Sequence, residues 1–288
     1  MRTHRIPVAD GVELAVDTWP PASGLSDAAE RPTFLLVHGL ASNARLWDGV
    51  AQRLAAAGHP VVTVDLRGHG RSSKPDGPYD VPTVADDVAS VIRALGLPRP
   101  VAAGQSWGGN VVLELGARHP DLVRGIVCVD GGWLEPSHAF PDWEACRTAL
   151  APPRLVGRHL SEIEGYIRSA HADWPETGIR GTLANFEVRP DGTVAPWLTY
   201  EHHMTVLRGL WDHHPSERYA ALSVPVLLAP ADGGDHDWAE RKRGEVEAAL
   251  AVIPDARARW FTGDHDIHAQ HPGELAEVML TTTNGWAP

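Results

Sequence analysis

Short apolar runs alternate with amphipathic segments along most of the chain. The runs at Thr33 to Val37, Pro60 to Leu66, Val101 to Ala103, Leu122 to Val129, Pro225 to Ala231 and Ala256 to Phe261 are of the length and continuity expected for strands buried on both faces. Segments with helical spacing lie between them. Leu46, Trp47, Val50 and Leu54 share one face, with Gly58 as a stop. Thr83 to Leu95 predicts a helix with Thr83 as N-cap and Asp86 three residues on. Val111, Val112 and Leu115 predict a helix ending near Arg118, a charged helix follows from about Trp238 to Val252, and the last begins after Pro272. Repeated strand and helix alternation implies an α/β fold, a mostly parallel sheet with helices on both faces. At its start, Thr3 to Val8 and Glu13 to Trp19 flank Asp10-Gly11 and read as an antiparallel hairpin, and Pro20 to Pro32 reads as a polar surface loop.

The alternation breaks between Trp133 and Tyr219. This stretch has no convincing buried strand, is rich in Trp, His and Pro, and predicts helices at Leu160 to Ala172 and Tyr200 to Trp211 with a Pro-Asp-Gly turn at Pro190 to Gly192 between them. The expected organisation is a core of residues 1–132 and 219–288 with a helical insertion at 133–218. Trp133, Trp143, Trp174, Trp197 and Trp211 give the insertion a large apolar surface, either to line a cavity or to pack it onto the core.

Composition narrows the partners. The chain has 288 residues, enough for one large core, and a formal charge of -12, which repels nucleic-acid phosphates and anionic membrane surfaces. No apolar run approaches the roughly 18 residues of a spanning helix, and MRTHRIPVADG has no signal-peptide character, so a soluble, cytoplasmic protein is expected. Cys128 lies in an apolar run and Cys146 in a polar stretch, a poor disulfide framework that fits a reducing compartment.

The chemistry centres on Gly104-Gln105-Ser106-Trp107-Gly108, placed between a buried strand and a helix. Gly-x-Ser-x-Gly at such a turn is a nucleophile elbow, in which the glycines make room for a strained serine. Ser106 is the candidate nucleophile. The histidine groupings at His202-His203, His213-His214, His236 beside Asp235 and Asp237, and His265-x-x-His268 follow no recognised zinc spacing, so no metal is expected.

With this elbow, His38-Gly39 after an early strand, the Asp65 to Ser72 turn of form Asp-x-x-Gly-x-Gly-x-Ser, and Gly263-Asp264-His265 ahead of Pro272, the chain resembles the α/β-hydrolases over nearly all its length except the insertion. The resemblance implies a base on the loop after the last strand, His265, in preference to His268 or His271. It implies an oxyanion hole from the backbone N–H groups of Leu40 and Trp107, and a mainly structural role for Asp65, Arg67 and His69. The acid is expected at Asp232, in the family's usual position, with Asp130 at the end of the sixth strand as the alternative. The insertion stands where this family places its lid. The implied activity is hydrolysis of a carboxylic ester or lactone of a small to medium, largely apolar molecule through an acyl-enzyme on Ser106, without a cofactor; the partner is the small-molecule substrate, with no nucleic acid and no membrane, and the oligomeric state is left open. A carbon-carbon bond hydrolase, a peptidase, or a ligand-binding relative without turnover are the alternatives. Haloalkane dehalogenases and epoxide hydrolases share the fold but carry Asp where Ser106 stands.

Overall fold

Phe34 and Leu36 face one core, Leu35 and Val37 face another, and all four are fully buried. Successive side chains of a strand point to opposite faces, so a strand covered on both sides must be apolar throughout. The computed structural model describes residues 1–22, 31–234 and 236–287, so most of the predicted Pro20 to Pro32 loop lies outside the described residues. Its strands are β1 (Arg2–Pro7), β2 (Glu13–Trp19), β3 (Phe34–Val37), β4 (Val61–Asp65), β5 (Val101–Gln105), β6 (Gly125–Val129), the short pair β7 (Phe186–Val188) and β8 (Val194–Pro196), then β9 (Val226–Ala229) and β10 (Ala256–Ala258). The eight-stranded sheet has the order β1-β2-β4-β3-β5-β6-β9-β10, antiparallel only at β1–β2 and β2–β4.

Helices cover both faces, as the alternation predicts. On one side α1 (Asp48–Ala56) contributes Val50, Ala51 and Leu54 to the core that holds Phe34 and Leu36. On the other, α2 (Val81–Ala94) and α3 (Trp107–Arg118) bury Val84, Val88, Val111 and Leu115 against Leu35 and Val37. The segment after β6 carries α4 (Pro136–Ala139), α5 (Trp143–Ala149), α6 (Leu160–Ala170), α7 (Glu176–Leu183) and α8 (Tyr200–Trp211). The chain closes with α9 (His236–Val252), α10 (Ile267–Gln270) and α11 (Pro272–Thr283), whose Leu275, Ala276 and Met279 complete the first core.

Three local expectations are corrected. The N-cap of α2 is Asp80, not Thr83: its carboxylate accepts from the Thr83 N–H at 2.9 Å, and Pro82 fits the first turn, where no intrahelical donor is needed. The strand expected at Ala256 to Phe261 stops at Ala258, and Phe261 meets Ala231 only through an isolated bridge. The segment after β6 also holds a hairpin, because Pro190-Asp191-Gly192 turns the chain back on itself and Asp191 accepts from the Thr193 N–H at 3.0 Å. Strands of three residues are too short to register as a buried apolar run.

Candidate active site

Ser106 stands between β5 and α3 at φ 54°, ψ -122°, a left-handed conformation that costs a non-glycine residue about 1–3 kcal/mol. The surroundings impose it. The Ser106 N–H donates to Val129 O at 2.9 Å, and Ser106 O accepts from the Gly109 N–H at 2.8 Å. The two motif glycines are required by close backbone approach: a Cβ on Gly104 would lie 2.0 Å from Gly108 O, and one on Gly108 would lie 2.4 Å from His38 O. A Cβ on Gly39 would lie 3.0 Å from the Ser106 Cβ, so the loop after β3 packs directly on the elbow. His38 fixes that loop, since its Nε2 accepts from the Leu66 N–H at 3.0 Å and its Nδ1–H therefore donates to Gly39 O at 2.8 Å. The backbone N–H groups of Leu40 and Trp107 donate to no other protein group among the described residues.

His265 and Asp130 meet. His265 Nδ1 donates to Asp130 Oδ2 at 2.6 Å, which leaves Nε2 as the free acceptor of the ring. The Asp130 side chain is buried and also accepts from the Ala231 N–H and from Lys242 Nζ, each at 2.9 Å. Burial works against its carboxylate, but the hydrogen bonds and charges of His265 and Lys242 outweigh this and hold its pKa below the ordinary value. Burial likewise pulls His265 down, and the Asp130 bond and charge overcome it, so its pKa lies above the ordinary value.

The expectation that Asp232 pairs with His265 is therefore corrected. Asp232 is exposed and accepts from Thr262 Oγ1 at 3.2 Å and the Gly263 N–H at 3.3 Å, so it ties down the start of the histidine loop rather than its ring. The physical reason is the path of the chain after β9. Asp130 receives the Ala231 N–H, which seats its carboxylate beneath the loop, while Asp232 lies further out on the same turn. Gln105 steadies the loop as well, donating from Nε2 to His265 O at 3.1 Å.

Ser106, Asp130 and His265 line one cavity of about 430 Å³ with Leu40, Trp133, Leu134, Phe140, Leu207, Lys242 and Glu245. The Ser106 hydroxyl makes no hydrogen bond to a described residue, an arrangement common before substrate tightens the site. A second cavity, about 680 Å³, lies under the β7–β8 hairpin and contains none of the three residues, so its larger size does not make it the site of chemistry. The tryptophans divide between the two expected roles. Trp133 lines the smaller cavity and Trp197 the larger, whereas Trp174 packs beside Ile163 and Ile179 and donates Nε1–H to Asp264 at 3.0 Å, and Trp143 stacks edge-on with Trp211.

The remaining motifs hold structure. Asp65 accepts from the Ala44 N–H and from Arg71, Arg67 forms a buried ion pair with Asp87 at 2.6 Å, and His69 bonds Arg67 O. His268 is fully buried, packed on Trp47, and burial holds its pKa at about 3, so it is a neutral core residue rather than the base. Among the described residues no group of His, Cys, Asp and Glu could hold a metal ion, and no helix is long and apolar enough to cross a membrane. Of the histidine groupings, the partner Asp235 lies outside the described residues.

Residues absent from the sequence-based site are Lys242, Glu245 and Glu135. Lys242 and Glu245 belong to a helix so rich in charge that it reads as a solvated face. Only the packing of α9 across the strand ends turns two of its charges inward.

A nucleophile elbow on a mostly parallel sheet, facing a histidine held by a buried aspartate, defines a hydrolase architecture. The chain belongs to the α/β-hydrolase family. The family description, an alpha/beta hydrolase fold, matches residues 32–149. An esterase of Mycobacterium tuberculosis is 36% identical over 271 residues, 89% of this chain and 84% of the relative. A 2-(acetamidomethylene)succinate hydrolase of Mesorhizobium japonicum is 28% identical over 78% of this chain and 81% of its own length. The crystal structure of an E-2-(acetamidomethylene)succinate hydrolase superposes with a TM-score of 0.79 at 24% identity, over 99% of both chains, which shows the shared fold.

Proposed function

We propose that this hydrolase cleaves a carboxylic ester or lactone of a small to medium, largely apolar molecule, with Ser106, His265 and Asp130 as its triad. The observation that carries the reading is the shared cavity: a strained serine at its floor and a histidine whose Nε2 is left free by the 2.6 Å bond from Nδ1 to Asp130. His265 Nε2 takes the Ser106 proton as Oγ attacks the carbonyl carbon, and Asp130 stabilises the imidazolium that forms. The carbonyl oxygen gains charge and is met by the N–H groups of Leu40 and Trp107. His265 returns the proton to the leaving oxygen, then activates water to release the acid from Ser106. No cofactor enters these steps. The segment after β6 acts as a lid that sets substrate choice, since Trp133, Leu134, Phe140 and Leu207 supply much of the apolar wall.

The charges in the cavity do not suit a succinate derivative such as the substrate named for one relative. A dicarboxylate needs unpaired cations, and Lys242, the cation in this wall, is bonded to Asp130 and to Ala231 O at 2.8 Å. That favours the ester reading, which a panel of p-nitrophenyl esters of increasing chain length, run beside several lactones, tests directly. Turnover of the shorter esters or of a lactone is expected, and inactivity of the folded protein across the panel would contradict the proposal.

Lys242 has a predictable effect on the pH profile. Loss of kcat/KM on acidification tracks protonation of His265, and its raised pKa places that midpoint above the ordinary 6.5. Lys242 opposes this by repelling the imidazolium. Lys242→Met should therefore move the acid limb to still higher pH, because the protonated ring gains stability once the cation is gone. A midpoint that falls or stays fixed would show that the ammonium does not act on His265.

A further inference from the structure

We propose that the catalytic cavity contains a subsite for a substituted ammonium group, formed by the Glu245 carboxylate with the Phe140 ring, so that the preferred substrates are esters bearing a positive charge. This rests on the ester-hydrolase reading and names its substrate class. The charged groups of the wall are Asp130, Glu135, Lys242, Glu245 and, when protonated, His203 and His265. Lys242 and His265 both bond Asp130. Glu135 accepts from His214 Nδ1 at 2.7 Å and Ser216 Oγ at 2.9 Å, so its oxygens are engaged by the wall itself. Glu245 has no hydrogen-bond or ion-pair partner among the described residues, and it is partly buried.

An unpartnered carboxylate in an apolar wall is costly unless a ligand supplies the missing charge. Burial raises the Glu245 pKa and the Glu135 charge adds to this, while Arg241 and Lys242 act in the opposite direction without cancelling the effect, which leaves it at about 7. A bound cation would reverse that penalty by pairing with the ionised form. The aromatic surroundings suit a bulky, weakly hydrated ammonium better than a small metal ion, because ring faces attract cations and offer no donor atoms. Trp238 also lines the cavity, but the Arg241 guanidinium already lies 5.2 Å from its ring centroid, and Trp133 is buried in the core, which leaves Phe140 as the ring open to a ligand. A carboxylate-bearing substrate would meet the carboxylates of Glu135 and Glu245 in the same wall.

The test compares three esters of one acid above neutral pH: a choline ester, its isostere with tert-butyl in place of trimethylammonium, and an ester of matched length ending in carboxylate. The choline ester should exceed its isostere in kcat/KM by about tenfold, and the carboxylate ester should be poorest. Glu245→Gln should bring the ratio of choline ester to isostere close to one. Binding is read separately by calorimetry of butyltrimethylammonium with Ser106→Ala and with Ser106→Ala/Glu245→Gln, where affinity should fall about tenfold in the double variant. Hydrolysis of the isostere without any preference for the cation, or a preference unaltered by Glu245→Gln, overturns the subsite while leaving the hydrolase reading intact. Ammonium binding lost with Glu245, together with no turnover of any ester, supports the subsite and overturns the hydrolase reading instead.

Discussion

Ser106→Ala is expected to lower kcat on a p-nitrophenyl ester by roughly 10⁶-fold, the scale of loss when a triad nucleophile is removed. Stability should hardly change. The hydroxyl has no hydrogen-bond partner among the described residues, and alanine retains both the Cβ on which Gly39 packs and the backbone on which Gly131 packs. The strained φ of 54° is imposed by the backbone bonds to Val129 and Gly109, which the substitution leaves in place. Rate measurement with matched thermal unfolding separates the outcomes: residual activity near that of the parent would remove Ser106 from the mechanism, and unfolding would show the hydroxyl to be structural.

Asp130→Asn is expected to cut kcat by about 10⁴-fold, because an amide in contact with Nδ1 no longer holds the productive tautomer or stabilises the imidazolium. Lys242 adds to the damage, since its ammonium, now 2.9 Å from a carboxylate, would be left without its counter-charge at a side chain only 14% exposed. Asp232→Asn removes only acceptors for Thr262 and the Gly263 N–H on an exposed turn and should cost well under tenfold. Running both variants in parallel, with unfolding curves, decides the identity of the acid. A larger loss at Asp232 would mean that the histidine loop adopts another arrangement during catalysis.

The contrast between these aspartates shows where sequence reading stops. The elbow is local: two glycines, a serine, an apolar strand before and a helical stripe after it, all within one stretch whose backbone contacts demand those residues. The histidine is nearly as local, fixed by its place after the last strand. The acid is not local. β6 and β9 are neighbours in the sheet, with Val129 paired to Ala229, so Asp130 and Asp232 leave the same end of adjacent strands and only the course of the turn after β9 decides which one lies beneath the ring. No periodicity carries that difference. Core organisation was legible because continuous apolar runs require cover on both faces, and the separate cores around β3 bear this out. The contributions of Lys242 and Glu245 were hidden by their own helix, where charge reads as exposure until the helix is placed over the strand ends.

The assignment of Ser106 as an activated nucleophile is tested most directly by treating the folded protein with an active-site fluorophosphonate and locating the adduct by peptide mass spectrometry. A single adduct is expected on Ser106, absent in Ser106→Ala and formed far more slowly in His265→Gln and Asp130→Asn. Labelling at another residue, or none in the folded native protein, would contradict it.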